Sequence, residues 1–141
     1  MARRIYLDFD GVVSPIVPGL EHGSLVAVSG DCISLDRLST LKKHSRTPGI
    51  EVMWATHREV AVYDVTDPLG LPRFPHLTFT DPAGSKVKDI IAHYVANPCD
   101  YAVVFEDSLT GAEVEALNDA GLTVRLFDNC IHQSTHEPEE R

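Results

Sequence analysis

Arg3-Arg4-Ile5-Tyr6-Leu7-Asp8-Phe9-Asp10-Gly11-Val12-Val13 is the stretch on which the reading of this chain turns. Ile5, Tyr6 and Leu7 are strand formers suited to a covered pleated surface. They run into Gly11, which permits a tight turn. Asp8 and Asp10 therefore stand two positions apart where a buried strand ends. Alternate side chains on a strand share a face, so the two carboxylates are expected to converge on one point. Like charges at a strand end repel unless a cation or polar partners stabilise them. The competing reading is a surface turn whose aspartates merely cap nearby amides, and the rest of the chain weighs against it.

Outward from that strand, extended and helical patterns alternate. Residues 14–33 form an irregular insert containing Pro15, Pro18, Gly19, Gly23 and Gly30. The run at 25–28 and Cys32-Ile33, joined through Ser29-Gly30-Asp31, predict a small hairpin that would serve as a flap over a site. Ser34 is placed to N-cap a helix in which Leu35, Leu38 and Leu41 recur every third residue. Residues 50–55 predict a second strand, with Thr56-His57-Arg58 at its C-terminal end and a helical stretch to about Leu69. After a loop bracketed by Pro72 and Pro75, a short third strand is expected around 77–80. Asp81-Pro82-Ala83-Gly84 reads as a turn, and Val87, Ile90, Ile91 and Tyr94 mark one face of the next helix. Residues 101–105 are near-continuously apolar, as in strands buried on both faces, and Glu106-Asp107 follow at once. Thr110 with Glu113 has the form of a capping box, and Gly121 ends that helix. Residues 122–127 supply the last strand.

Such alternation predicts a mostly parallel, doubly wound, Rossmann-like α/β sheet with helices on both faces. The domain is expected over residues 1–131, with the insert 14–33 as its flap and a polar tail at 132–141. The length of 141 residues and the 43% apolar content suit one such domain with a real core. Twelve Lys and Arg against twenty-one Asp and Glu give a net charge of −9. That sign weighs against strong non-specific affinity for nucleic acid or anionic membrane. Cys32, Cys99 and Cys130 are odd in number and widely spaced, which reads as reduced thiols in a cytoplasmic protein. No stretch near the N-terminus has the length and apolarity of a signal peptide or membrane span.

In a parallel sheet of this kind the ligand site lies beyond the C-terminal strand ends. Asp8 with Asp10, Thr56, Lys86, and Glu106 with Asp107 all fall on those ends or on the loops that follow. Asp8, Asp10 and Asp107 form an all-oxygen set that suits a hard divalent cation such as Mg²⁺. Lys86 would neutralise a phosphate from the other side, and would pair with the acids without one. Lys88 is the alternative lysine, but it lies further into the helix and reaches solvent. Thr56 offers a hydroxyl, and a helix start beside it would offer free amides to phosphate oxygens. Together these groups describe a phosphoryl-transfer site, working through an aspartyl-phosphate or through activated water.

Asp8-Phe9-Asp10-Gly11-Val12-Val13, Thr56, Lys86 and Glu106-Asp107 resemble the four ordered motifs of the haloacid dehalogenase-like (HAD) superfamily, in its phosphatase branch. The resemblance spans residues 5–127. Residues 103–111, Val-Val-Phe-Glu-Asp-Ser-Leu-Thr-Gly, are close to the fourth motif of its sugar-phosphate mutases and small phosphatases. The short insert is similar to that of minimal members without a cap domain. The resemblance implies that Asp8 is the nucleophile and a Mg²⁺ ligand. It implies that Asp10 is the general acid and then the base, its backbone carbonyl also meeting the metal. Thr56 would hydrogen-bond the phosphoryl group, Lys86 would neutralise it, Asp107 would ligate Mg²⁺, and Glu106 would do so directly or through water. An aspartate at position 10 favours phosphate transfer over dehalogenation, because the leaving oxygen needs a proton.

The expected activity is a Mg²⁺-dependent phosphomonoesterase acting on a phosphorylated small molecule or nucleotide. The alternatives are a phosphotransferase or mutase, a polynucleotide-end phosphatase, and a non-catalytic phosphoryl-binding protein. Gly11, His57 and Arg58 are weaker substrate contacts, and His57 and Arg58 read equally as surface or capping residues. Arg3, Arg4, Arg58 and Arg73 are the cations that a nucleic-acid end would need at the rim. Cys130, His132 and His136 have loose metal-ligand spacing but offer only three ligands for zinc. Met53, Trp54 and Phe105 read as core. A monomer or weak dimer is expected, with no membrane association.

Overall fold

The structure is a computed structural model that describes residues 2–14, 25–28, 31–81 and 84–127. In chain order its elements are β1 (Arg3–Leu7), β2 (Leu25–Val28), β3 (Asp31–Ser34), α1 (Leu35–Ser45) and β4 (Ile50–Trp54). A 3-10 turn (Glu59–Val62) and the short α2 (Tyr63–Thr66) follow. The chain then forms α3 (Val87–Ala96), β5 (Tyr101–Glu106), α4 (Gly111–Asp119) and β6 (Thr123–Leu126).

Four strands make a parallel sheet in the order β4-β1-β5-β6, so β1 is internal and pairs with β4 on one side and β5 on the other. Strand alternation divides the core in two. Ile5, Leu7, Val52, Trp54 and Val103 pack on one face with Leu38 and Leu41 of α1. Tyr6, Met53, Ala102 and Val104 pack on the other with Val87 and Ile90 of α3 and Leu117 of α4. Helices therefore cover both faces, and the polar helix surfaces turn outward. The chain steps from β1 to β4 in one direction and from β1's other neighbour, β5, to β6 in the opposite one. The strand order reverses between β1 and β5, which is where open α/β sheets leave a crevice at their carboxyl ends.

The local signals were legible. The Ser34 hydroxyl accepts from the Arg37 amide at 3.3 Å and caps α1. Thr110 and Glu113 form the reciprocal capping box at the start of α4. The expected hairpin is present as the antiparallel pair β2–β3; its turn residues Ser29 and Gly30 lie outside the described residues. Asp31 belongs to β3 and not to the turn.

Two expectations are corrected. Residues 77–80 form no strand: a single parallel bridge joins His76 to Trp54, flanked by Trp54 N–H to Pro75 O at 2.8 Å and Leu77 N–H to Trp54 O at 2.9 Å. Beyond Leu77 the backbone donors turn to side chains, Phe79 N–H to Glu59 Oε2 at 2.9 Å and Thr80 N–H to Asp89 Oδ2 at 3.3 Å, so no ladder extends. The helical stretch after Thr56 is a 3-10 turn and one short helix, broken by turns from Asp67 to Gly70. Thr56 therefore stands before a turn and not at a helix start. Cys32 and Cys99 are free thiols. The tail 132–141 and the set Cys130, His132 and His136 lie outside the described residues, as do residues 15–24 of the insert. Among the described residues no helix is long and apolar enough to cross a membrane.

Candidate functional site

β1 carries Asp8 to the carboxyl edge, where the residue is buried at 5% exposure, and β5 carries Glu106 there at 4%. The backbone registers the two ends: Asp8 N–H donates to Phe105 O at 3.1 Å. Lys86 closes the start of α3 and sends its ammonium between them. Nζ lies 3.0 Å from Asp8 Oδ1 and 2.9 Å from Glu106 Oε2. Oδ1 of Asp8 also accepts the Phe9 amide at 2.8 Å, and Oε1 of Glu106 accepts the Asp107 amide at 3.1 Å. Backbone donors thus fix both carboxylates before any ligand contributes.

Asp107 joins this pair. One carboxylate oxygen from each of Asp8, Glu106 and Asp107 lies within 4.8 Å of the others. The close cluster therefore takes Glu106 as its third carboxylate, where the strand pattern alone pointed to Asp10. Burial pushes Glu106 up to about 9, with the adjacent Asp8 carboxylate adding to the rise and Lys86 opposing it. Burial raises Asp107 too, and the charge of Asp8 contributes. For Lys86, burial acts to lower its value, but Asp8 and Glu106 outweigh it and hold the ammonium above its ordinary range. Three carboxyl groups thus face one ammonium, and the crowding is relieved by Glu106 holding a proton. Three oxygen donors at this spacing fit a hard divalent cation, and Asp8, Glu106 and Asp107 are the residues that would hold it.

Asp10 faces a different partner. Both of its carboxylate oxygens accept from Arg58, at 2.9 Å from Nε and 2.8 Å from Nη2. The same guanidinium reaches both oxygens of Asp31, at 3.2 Å from Nη1 and 2.7 Å from Nη2. Its face lies over the Phe9 ring, 4.7 Å from the centroid. Asp31 opens β3, so this clasp ties the flap hairpin to the edge of the site. Ser14 Oγ donating to Cys32 O at 2.7 Å and Ser34 N–H donating to Val13 O at 3.1 Å seat the same hairpin on the loop after β1.

Thr56 is buried, and its hydroxyl oxygen accepts the Arg58 amide at 3.2 Å. Its hydroxyl proton is left to donate elsewhere. The turn beyond it is laced to the segment that carries Lys86. Glu59 Oε2 accepts the Phe79 amide at 2.9 Å, and the His57 ring packs on Phe79 while its Nε2 lies 3.0 Å from Gly84 O. Glu59 has φ +50°, a left-handed value unusual for a side-chain-bearing residue and characteristic of over-determined turns beside functional groups. Ser85 completes the frame: its hydroxyl donates to Glu113 Oε2 at 2.5 Å and accepts the Val87 amide at 3.2 Å, joining the starts of α3 and α4.

The strand ends thus bring Asp8, Lys86, Glu106 and Asp107 into one cluster, with Gly11 against Asp107. Asp10 and Arg58 form a second group beside the flap. Of the arginines proposed for the rim, Arg58 alone contacts a residue of this site. Arg3 and Arg4 stand at the opposite end of β1, where Arg4 is buried and paired with Glu51 at 2.7 Å, and Arg73 pairs with Asp67 at 2.6 Å. Asp31, Ser85 and Glu59 were not identified as site-shaping residues from sequence. Glu113 was, but only as a helix cap. No family model, no curated protein and no solved structure matches this chain. The chemistry of the site carries the functional reading by itself.

Proposed function

We propose that this protein is a Mg²⁺-dependent phosphomonoesterase of the haloacid dehalogenase-like kind, built on a doubly wound core and acting through an aspartyl-phosphate on Asp8. The observation that carries the reading is the buried Lys86 ammonium shared by Asp8 and Glu106 at the carboxyl ends of β1 and β5. A lysine so placed pairs with Asp8 and adds positive charge where a phosphoryl group would arrive. In the first half-reaction an Asp8 oxygen bonds to phosphorus as the bond to the leaving oxygen breaks, and Asp10 gives that oxygen a proton. In the second, Asp10 takes a proton from water, the water oxygen bonds to phosphorus, and the aspartyl bond breaks to release phosphate. The Thr56 hydroxyl donates a hydrogen bond to a phosphoryl oxygen and keeps its proton. Mg²⁺, when held by Asp8, Glu106 and Asp107, supplies charge against the phosphoryl oxygens. The substrate is the phosphate ester of a small molecule or nucleotide.

Phosphate release by the purified protein with Mg²⁺, measured across nucleotides, sugar phosphates and phosphorylated oligonucleotides, tests the reading. Asp8→Asn should abolish release while leaving the thermal transition in place, because an amide neither attacks phosphorus nor ligates Mg²⁺ well. Turnover by the Asn variant at the parental rate would overturn it.

A further inference from the structure

The Asp10–Arg58–Asp31 clasp conflicts with the role of Asp10 unless it opens. Four N–H···O contacts from one guanidinium occupy both oxygens of each carboxylate. An acid that serves a leaving oxygen must turn an oxygen toward it, and the two-point fork holds both oxygens of Asp10 toward the guanidinium instead. The pair must therefore part during turnover, which frees Nε and one Nη2 hydrogen of Arg58 for another acceptor while Asp31 keeps the rest of the guanidinium paired. Its position is otherwise fixed: the guanidinium rests on Phe9, which is fully buried and packed edge-on to Trp54. The backbone beneath it is held by the Thr56 hydroxyl and followed by the strained Glu59. Arg58 stays in place while its partners exchange.

We propose that Arg58 is a specificity-determining latch that releases Asp10 in exchange for a second anionic group on the substrate, one carried by the leaving group. This rests on the phosphomonoesterase reading, which puts Asp10 beside the leaving oxygen and so puts Arg58 on the leaving-group side of phosphorus. The favoured substrates are phosphate esters whose alcohol portion bears a carboxylate or a further phosphate. A planar guanidinium that already forks onto carboxylates matches either anion bidentately. Asp31 is the fixed half of the clasp: it keeps Arg58 oriented while Asp10 leaves, and it couples the flap hairpin to the same exchange.

Binding of non-hydrolysable ligands tests this without relying on turnover. Calorimetry in Mg²⁺ buffer compares propylphosphonate, which has one anionic group, with 3-phosphonopropionate and ethane-1,2-bisphosphonate, which have two. The two ligands with a second anionic group should bind about tenfold or more tightly than propylphosphonate, which offers Arg58 no anion in exchange for Asp10. Arg58→Gln should remove that advantage while retaining propylphosphonate binding. Arg58→Lys, which keeps the charge and lacks the fork, should retain part of it and serves if the Gln variant does not fold. The bisphosphonate and carboxylate arms tell which anion is preferred. Equal binding of all three ligands to the parent protein overturns the latch and leaves the phosphoryl site standing. A uniform loss for all three in Arg58→Gln overturns it as well, since Arg58 would then be structural only. If none of the three binds at millimolar concentration, the phosphoryl site itself is absent and the latch falls with it.

Discussion

A β-carbon added to Gly11 would stand 2.2 Å from Oδ2 of Asp107, so the bare backbone of the first loop is what admits that carboxylate to the cluster. Gly11 also sits at φ +85°, where a side chain is strained regardless of space. Two independent constraints thus meet at one residue. Gly11→Ala should destabilise the fold by about 1–3 kcal/mol from backbone strain alone. It should weaken Mg²⁺ binding as well, because Asp107 must turn away. Thermal melts with and without Mg²⁺ check both effects, and retention of the full Mg²⁺-induced shift would contradict the packing argument.

Glu106 gives the metal-free protein a pH dependence of definite sign. Its folded value near 9 stands above the ordinary 4.5, so the folded state holds its proton more tightly than the unfolded chain. Stability from this group is full below about 4.5 and is lost as pH rises towards 9. Asp107, also raised, contributes with the same sign. In chelator, Glu106→Gln should flatten the fall in melting temperature between pH 5 and pH 8, a range set by those limits. A variant that follows the parent slope would show that Glu106 is ionised throughout.

Lys86→Met removes the cation that two buried carboxylates share. Breaking a buried pair in this way costs about 3–5 kcal/mol. The loss should be smaller in the double variant with Glu106→Gln, which carries no charge at position 106 at any pH. Denaturant titrations of the single and double variants measure the coupling; additive losses would argue against a shared charge cluster.

Mg²⁺ should raise the melting temperature of the parent protein in a concentration-dependent way, since a ligand that binds only the folded state stabilises it by mass action. Asp107→Asn should reduce that shift, whereas Thr110→Ala should leave it. The Thr110 change should instead lower stability by about 1 kcal/mol through loss of the α4 cap. A Mg²⁺ shift that survives Asp107→Asn unchanged would place the cation elsewhere.

The sequence by itself determined what depends on short range. The strand formers at 5–7, the apolar run at 101–105 and the caps at Ser34 and Thr110 act through neighbours within a strand or a helical turn. Their outcome is set by local sterics and hydrogen bonding. From these came the strand order's raw material and the expectation that Asp8, Thr56, Lys86, Glu106 and Asp107 would stand at the carboxyl edge. Tertiary structure decided which of those groups meet. Asp10 lies two residues from Asp8, yet its carboxylate belongs to Arg58, forty-eight residues away, and Arg58 is shared with Asp31 of the flap. Residues 77–80 have the composition of a strand, but the amides of Phe79 and Thr80 are taken by the side chains of Glu59 and Asp89 and not by a neighbouring strand. Charge pairs and ladders of this kind depend on which distant segments the folded sheet brings within a few ångströms, and no pattern of neighbours in the chain encodes that distance.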